Sequence, residues 1–146
     1  MDREYCIIAF IISNYHGMTK EDSNELLLDF GKDGHQLVPV VTQHSQTKAV
    51  LILAFTNKEA FEETLRSGYA TYYSRNRKEI WRKGSSSGDF LRMEEIRINC
   101  EQNSLLYIVT PEGRGVCHVK KPDGIPYPTC FYRRILQGGK LEIIEK

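Results

Sequence analysis

No apolar run in this sequence is longer than seven residues, and residues 6–12 form one of that length. A membrane-spanning helix needs ~20, so these runs are the wrong length for one. They suit short buried strands, and they recur at close intervals between polar stretches bearing Gly or Pro. The pattern predicts an α+β domain with antiparallel strands and one or two helices. A chain of 146 residues makes one ordinary domain, which buries ~70% of its unfolded surface without disulfide staples. Cys6, Cys100, Cys117 and Cys130 are too few for a disulfide scaffold. Two acids and one arginine precede residues 6–12, with no A-x-A site, so no secretion signal is expected. The expected compartment is the cytoplasm, where thiols serve structure, metal binding or catalysis. Twenty Lys+Arg against nineteen Asp+Glu leave a net charge of +1, which argues against a nucleic-acid coat or a membrane-surface protein.

Within that frame, residues 6–12 read as a buried strand. Thr19 and Asp22 suggest a cap, and Leu26, Leu27 and Phe30 at helical spacing predict a short helix broken by Gly31 and Gly34. Residues 38–42 and 49–55 read as strands joined by a polar turn, the second apolar on both faces as in a central strand. Asn57 caps the clearest helix, with Ala60, Phe61, Thr64 and Leu65 as its buried stripe and Gly68 at its end. Residues 69–74 read as a strand, 84–88 as a flexible loop, and 91–100 with 105–110 as a hairpin. Pro122, Gly124, Pro126 and Pro128 mark a long ordered loop, and residues 141–144 a last strand.

Three features carry potential chemistry. Residues 74–84 hold five basic residues against one acid, a local charge of +4, and run into Ser85, Ser86, Ser87 and Gly88. Arginine forks, a lysine and a Ser/Gly loop suit phosphate, and Trp81 can stack on a base. A solvated basic edge strand explains the same residues equally well. Cys117 and His118 stand twelve residues before Cys130, with Cys100 upstream. Thiolate and imidazole ligate zinc, but without C-x-x-C knuckles any shared site needs tertiary or quaternary assembly, and ordinary buried thiols are the alternative. Third, a strand continuing through residues 99–103 would put Asn99, Glu101 and Asn103 on one face and Cys100 on the other. Oxygen ligands would suit a hard cation there, while a plain polar turn also accounts for these residues.

Taken in this order, the segments resemble the phosphoribosyl-AMP cyclohydrolases of histidine biosynthesis. The resemblance runs over residues 37–133, from Leu37-Val38-Pro39-Val40 through Ala54-Phe55-Thr56-Asn57 to Val116-Cys117-His118 and Cys130-Phe131-Tyr132-Arg133. It is strongest at Ser74-Arg75-Asn76-Arg77-Lys78-Glu79-Ile80-Trp81-Arg82-Lys83-Gly84, which carries the family's S-R-x-R-x-x-[LI]-W-x-K-G signature. It implies an intertwined homodimer with zinc between subunits, held by Cys100 of one chain and Cys117 and Cys130 of the other. It also implies hydrolytic opening of the N1–C6 bond of the adenine ring in phosphoribosyl-AMP, a phosphorylated purine nucleotide. His118 would be the proton shuttle or would hydrogen-bond a thiolate. Ser74, Arg75, Arg77, Lys83, Ser86 and Ser87 would hold substrate phosphate, with Trp81 in the binding wall.

Four departures from the family stand out. Its Asp-Cys-Asp-x-Asp magnesium motif appears as Asn99-Cys100-Glu101-Gln102-Asn103, which predicts a weak or absent magnesium site. Asp89 stands where the family has His, residues 119–129 form a longer loop expected to line the cavity, and residues 1–20 are an extension ahead of a 21–146 domain. Three functions fit: a divergent cyclohydrolase, a zinc hydrolase acting on another purine-type nucleotide, or a non-catalytic zinc-stabilised nucleotide-binding dimer. The +4 stretch is too short to track a nucleic-acid backbone.

Overall fold

The computed structural model describes residues 19–145, so the strand expected at 6–12 and Cys6 lie outside the described residues. Strands β1 (Val38–His44) and β2 (Val50–Thr56) form an antiparallel pair, with Val38 opposite Thr56. After them come helix α1 (Lys58–Ser67), the hairpin of β3 (Thr71–Ser74) and β4 (Glu79–Arg82), and the longer hairpin of β5 (Phe90–Ile98) and β6 (Leu105–Glu112). Strand β6 joins β1 in parallel, giving a four-stranded sheet in the order β2-β1-β6-β5. A last antiparallel hairpin, β7 (Arg133–Ile135) and β8 (Leu141–Ile143), forms a sheet of its own. This is the expected α+β class, with one α-helix among the described residues.

Local chemistry sets where α1 begins and ends. The Asn57 side chain accepts the Ala60 N–H at 2.9 Å, and Gly68 closes the helix at φ 73. A cap of this kind is worth ~1 kcal/mol. Ala60, Phe61 and Thr64 face inward, and Phe61 meets Phe30 at 5.7 Å between ring centroids. Burying a side chain of that size stabilises by about 2 kcal/mol. The Thr64 hydroxyl accepts the Thr71 N–H at 3.0 Å and donates to the Ala60 carbonyl at 2.9 Å, pinning the start of β3 to the helix. Tyr72 on β3 is fully buried between Tyr107 and Trp81, and its hydroxyl bonds Thr42 at 2.7 Å. The hairpin that carries the basic residues is therefore anchored in the core at one end.

Four expectations need correction. The helix predicted after Thr19 is a single 3-10 turn, Lys20–Asp22, because the Thr19 hydroxyl bonds the Asp22 carboxylate instead of a backbone N–H. Beyond it the chain is extended, with Leu26 half-buried, Leu28 and Phe30 buried, and Leu27 and Asp29 exposed. What passed for helical spacing is a period of two. Strand β2 is an edge strand rather than a central one. Its outer edge is covered by a later loop, where Cys130 N–H donates to the Leu51 carbonyl at 2.9 Å and the Thr129 hydroxyl to that of Val50 at 2.7 Å. Leu65 lies on the open side of α1, 41% exposed. Finally, β5 ends at Ile98, so residues 99–104 are a turn, and the alternation that would have split Asn99, Glu101 and Asn103 from Cys100 does not hold.

Candidate active site

The β3–β4 hairpin distributes its basic residues unevenly. Ser74 ends β3, where its hydroxyl accepts Arg77 N–H at 3.2 Å and its carbonyl accepts Lys78 N–H at 2.8 Å. This turn lifts Arg75 over the ring of Phe55 on β2, with the guanidinium carbon 4.1 Å from the ring centroid. Stacking leaves the edge of the fork free for an anion. Arg77 pairs with Glu79 at 3.3 Å at an exposed site. Arg82 points the other way, into an ion pair with Glu63 of α1, which Arg66 shares at 2.6 Å. The Arg66 hydrogen bond, and after it Arg82, hold the Glu63 carboxyl below its usual range against the opposing effect of burial. Trp81 is half-buried against Tyr72, 5.1 Å between centroids, so it forms wall more than platform.

After Trp81 the chain turns sharply. Gly84 has φ 97, and a β-carbon there would lie 2.6 Å from the backbone nitrogen of Phe90. Only glycine fits, which accounts physically for its place in the signature. Ser86 and Ser87 are exposed on the loop, and Gly88 N–H closes it onto the Gly84 carbonyl at 2.8 Å. Asp89, by contrast, is buried, and its carboxylate accepts Arg114 N–H at 3.0 Å. A β-carbon at Gly113 would sit 2.4 Å from that carboxylate.

The Lys83 ammonium is half-buried and donates to the Asp89 carbonyl at 3.2 Å, close to Cys117 and Cys130. Burial lowers its pKa, and the Asp89 carboxylate and the two thiols oppose that shift. Cys117 and Cys130 are neighbours, the first buried and the second exposed as a residue with its thiol turned toward Cys117 and Lys83. Burial and the neighbouring Cys117 push the Cys130 thiol up to about 12, with Lys83 pulling it down. Cys117 is buried in a cluster with Tyr127 and Tyr132, whose rings stack at 3.9 Å. His118, next in the chain, is exposed. The loop between the cysteines is ordered by short bonds: Cys117 N–H and Val116 N–H both reach the Tyr127 carbonyl at 2.9 Å, and Lys121 N–H reaches that of Ile125 at 2.8 Å.

Cys100 stands elsewhere. It is exposed in the turn between β5 and β6, whereas Cys117 follows the other end of β6. Cys130, next to Cys117, meets the Leu51 carbonyl outside the free edge of β2, so β2 and β1 stand between the pair and β6, about 14 Å across the sheet. Among the described residues, no three His, Cys, Asp or Glu side chains converge on one point. Two adjacent soft donors next to a cationic side chain match zinc chemistry, and no third such donor joins them among the described residues. For magnesium the fit fails. Asn99, Glu101 and Asn103 present one carboxylate, and their side chains already hydrogen-bond within the turn, Asn99 to Asn103 at 2.7 Å and Asn103 to Glu101 at 3.0 Å. Sequence reasoning missed Gln102 and Phe55. Gln102 is buried and holds the N-terminal segment, and Phe55 supports Arg75. A lone Gln in a polar turn gives no signal, and Phe55 reads simply as strand.

The profile of the phosphoribosyl-AMP cyclohydrolase family matches residues 52–132. A phosphoribosyl-AMP cyclohydrolase of Desulforapulum autotrophicum is 40% identical over 119 residues, 82% of this chain and 90% of that one. A phosphoribosyl-AMP cyclohydrolase of Archaeoglobus fulgidus is 44% identical over 108 residues, 74% of this chain and 92% of that one. The histidine biosynthesis bifunctional protein HisIE of Aquifex aeolicus is 40% identical over 117 residues, 80% of this chain and 53% of that protein. Fold and site together define a small α+β domain with a thiol pair beside a cationic hairpin. The chain belongs to the phosphoribosyl-AMP cyclohydrolase family.

Proposed function

We propose that the chain hydrolyses phosphoribosyl-AMP in histidine biosynthesis as a zinc-dependent homodimer. The observation that carries this reading is the pairing of Cys117 and Cys130 beside Lys83, in a member of the family whose Cys100 stands apart from them on the β5–β6 turn. Cys117 and Cys130 would hold zinc together with Cys100 of the partner subunit. When bound, zinc supplies Lewis acidity that makes water nucleophilic near neutral pH. Arg75, braced on Phe55, binds a phosphate of the substrate, with Arg77, Ser74 and the exposed hydroxyls of Ser86 and Ser87 beside the same turn. Lys83 balances the negative charge of the thiolates rather than reaching for phosphate. His118, exposed next to Cys117, takes a proton from water and returns it to N1. The water oxygen bonds to C6 and the N1–C6 bond breaks; N1 departs with that proton, the exocyclic nitrogen takes the other proton of water, and C6 stays on the imidazole ring as a carboxamide. No proton is gained or lost overall beyond those of the water.

The test is to give purified protein phosphoribosyl-AMP, follow ring opening by ultraviolet absorbance, and measure metal content. The reading expects turnover and about one zinc per chain. Bound zinc without turnover, but with hydrolysis of another purine nucleotide, would establish a diverged hydrolase instead. Bound zinc with no hydrolysis of any nucleotide would leave a binding dimer. A metal-free active protein would overturn the zinc site.

A further inference from the structure

We propose that the turn at residues 99–104 is a cation-free strut, in which amide hydrogen bonds hold Cys100 where the family's acidic motif would call for magnesium. As far as Cys100 is concerned, this rests on the zinc reading above. The cation-free claim stands on the turn itself.

The oxygens a divalent cation would need are already occupied. Asn99 Oδ1 accepts two backbone N–H groups, from Asn103 and Ser104, each at 2.9 Å. Asn103 Oδ1 accepts from the Asn99 amide at 2.7 Å, and Glu101 Oε2 accepts from the Asn103 amide at 3.0 Å. The backbone closes the same turn, Gln102 N–H onto the Asn99 carbonyl at 3.0 Å and Asn99 N–H onto that of Ser104 at 3.2 Å. Magnesium gives up its water reluctantly and favours anionic oxygens in a near-octahedral set. Here it would meet one carboxylate and would have to break the bonds that shape the turn.

Gln102 fixes the strut from behind. It adopts φ 53 at the bend and is buried. Its Oε1 accepts Leu27 N–H at 2.6 Å, while Nε2 donates to the carbonyls of Lys20 at 3.2 Å and Glu25 at 3.1 Å. An amide is required, since the contacts use both its acceptor and its donor. Asn99 and Gln102 are thus positioning residues for Cys100, and the segment at 20–27, a 3-10 turn followed by extended chain, is the post they brace against.

The probe is Mn2+, followed by its paramagnetic resonance signal, with the zinc-loaded chain. The wild type should show no saturable binding at the turn, and added Mn2+ should leave its thermal unfolding unchanged. The variant Asn99→Asp/Glu101→Asp/Asn103→Asp, which restores three short carboxylates, should gain saturable Mn2+ binding and be stabilised by added Mn2+. Saturable binding by the wild type that Asn103→Ala abolishes would overturn the proposal, and needs no folded triple variant to be seen. Binding that survives Asn103→Ala lies elsewhere and leaves the turn cation-free. The positioning role is read separately by replacing zinc with Co2+, whose thiolate absorption reports the ligand set. Gln102→Ala should weaken that absorption and Gln102→Glu should restore only part of it. An unchanged spectrum in Gln102→Ala would refute positioning while leaving the Mn2+ result intact.

Discussion

The two ends of the β5–β6 hairpin both carry cysteine, in opposite settings. At one end Cys117 is buried among Tyr127 and Tyr132 and pairs with Cys130 beside a half-buried lysine. At the other, Cys100 is exposed on a turn whose own side chains are hydrogen-bonded to one another. The first end has donors and charge compensation but lacks a third ligand. The second has a single ligand on a rigid mount and little else. Each is half of something, and the width of the sheet keeps the halves apart within one chain. That separation is what makes a two-chain site the economical reading.

The largest effect should come from the thiols themselves. Cys130→Ala and Cys100→Ala should each lower zinc content and cut kcat/KM by more than about 100-fold, although one sits at each end. If Cys100→Ala keeps full zinc and full turnover, the two ends do not cooperate. Next comes the turn that delivers Lys83 to the thiol pair. Gly84→Ala should cost about 2 kcal/mol in chemical unfolding, from positive φ and the contact with Phe90. Arg75→Ala should raise KM about tenfold with zinc content unchanged, separating phosphate binding from the metal end. The smallest effect concerns the clamp on the back of the hairpin. Glu63 has its folded pKa held below the usual 4.5 by Arg66 and Arg82. Its stabilisation is therefore complete above the unfolded value and is lost as pH falls through the folded one. Glu63→Gln should cost about 0.5 kcal/mol at neutral pH, kept small by the solvent around Arg66, and nothing in acid.

Much of this contrast was legible in the residues. The Asn57 cap, the Gly68 stop and the two-strand pattern around residues 101–104 are local signals, and they gave α1 and the β5–β6 hairpin nearly to the residue. The sorting of the basic residues was not legible. Arg75 and Arg82 look alike in sequence, yet one stacks on Phe55 and the other is spent on Glu63, because Arg75 sits in the turn after β3 while Arg82 ends β4 beside the helix. Leu26, Leu27 and Phe30 misled because the run Leu26-Leu27-Leu28 with Phe30 satisfies both periods, and only the long-range bonds to Gln102 decide for extended chain. Hairpin β7–β8 left only its second strand visible, since Arg133 and Arg134 hide the first. The proposed zinc set could not be read from spacing at all. Its cysteines lie on separate elements, and the resemblance alone placed them together.

The claim that one site is built from two chains has a direct measurement. Cys100→Ala and Cys117→Ala chains, each inactive alone, are mixed, unfolded and refolded together. If the ligands come from different subunits, half the dimers are mixed and each has one intact site, so about a quarter of wild-type activity and zinc should return. If all three thiols serve a site within one chain, no mixture contains an intact one, and activity will stay at the level of the separate variants.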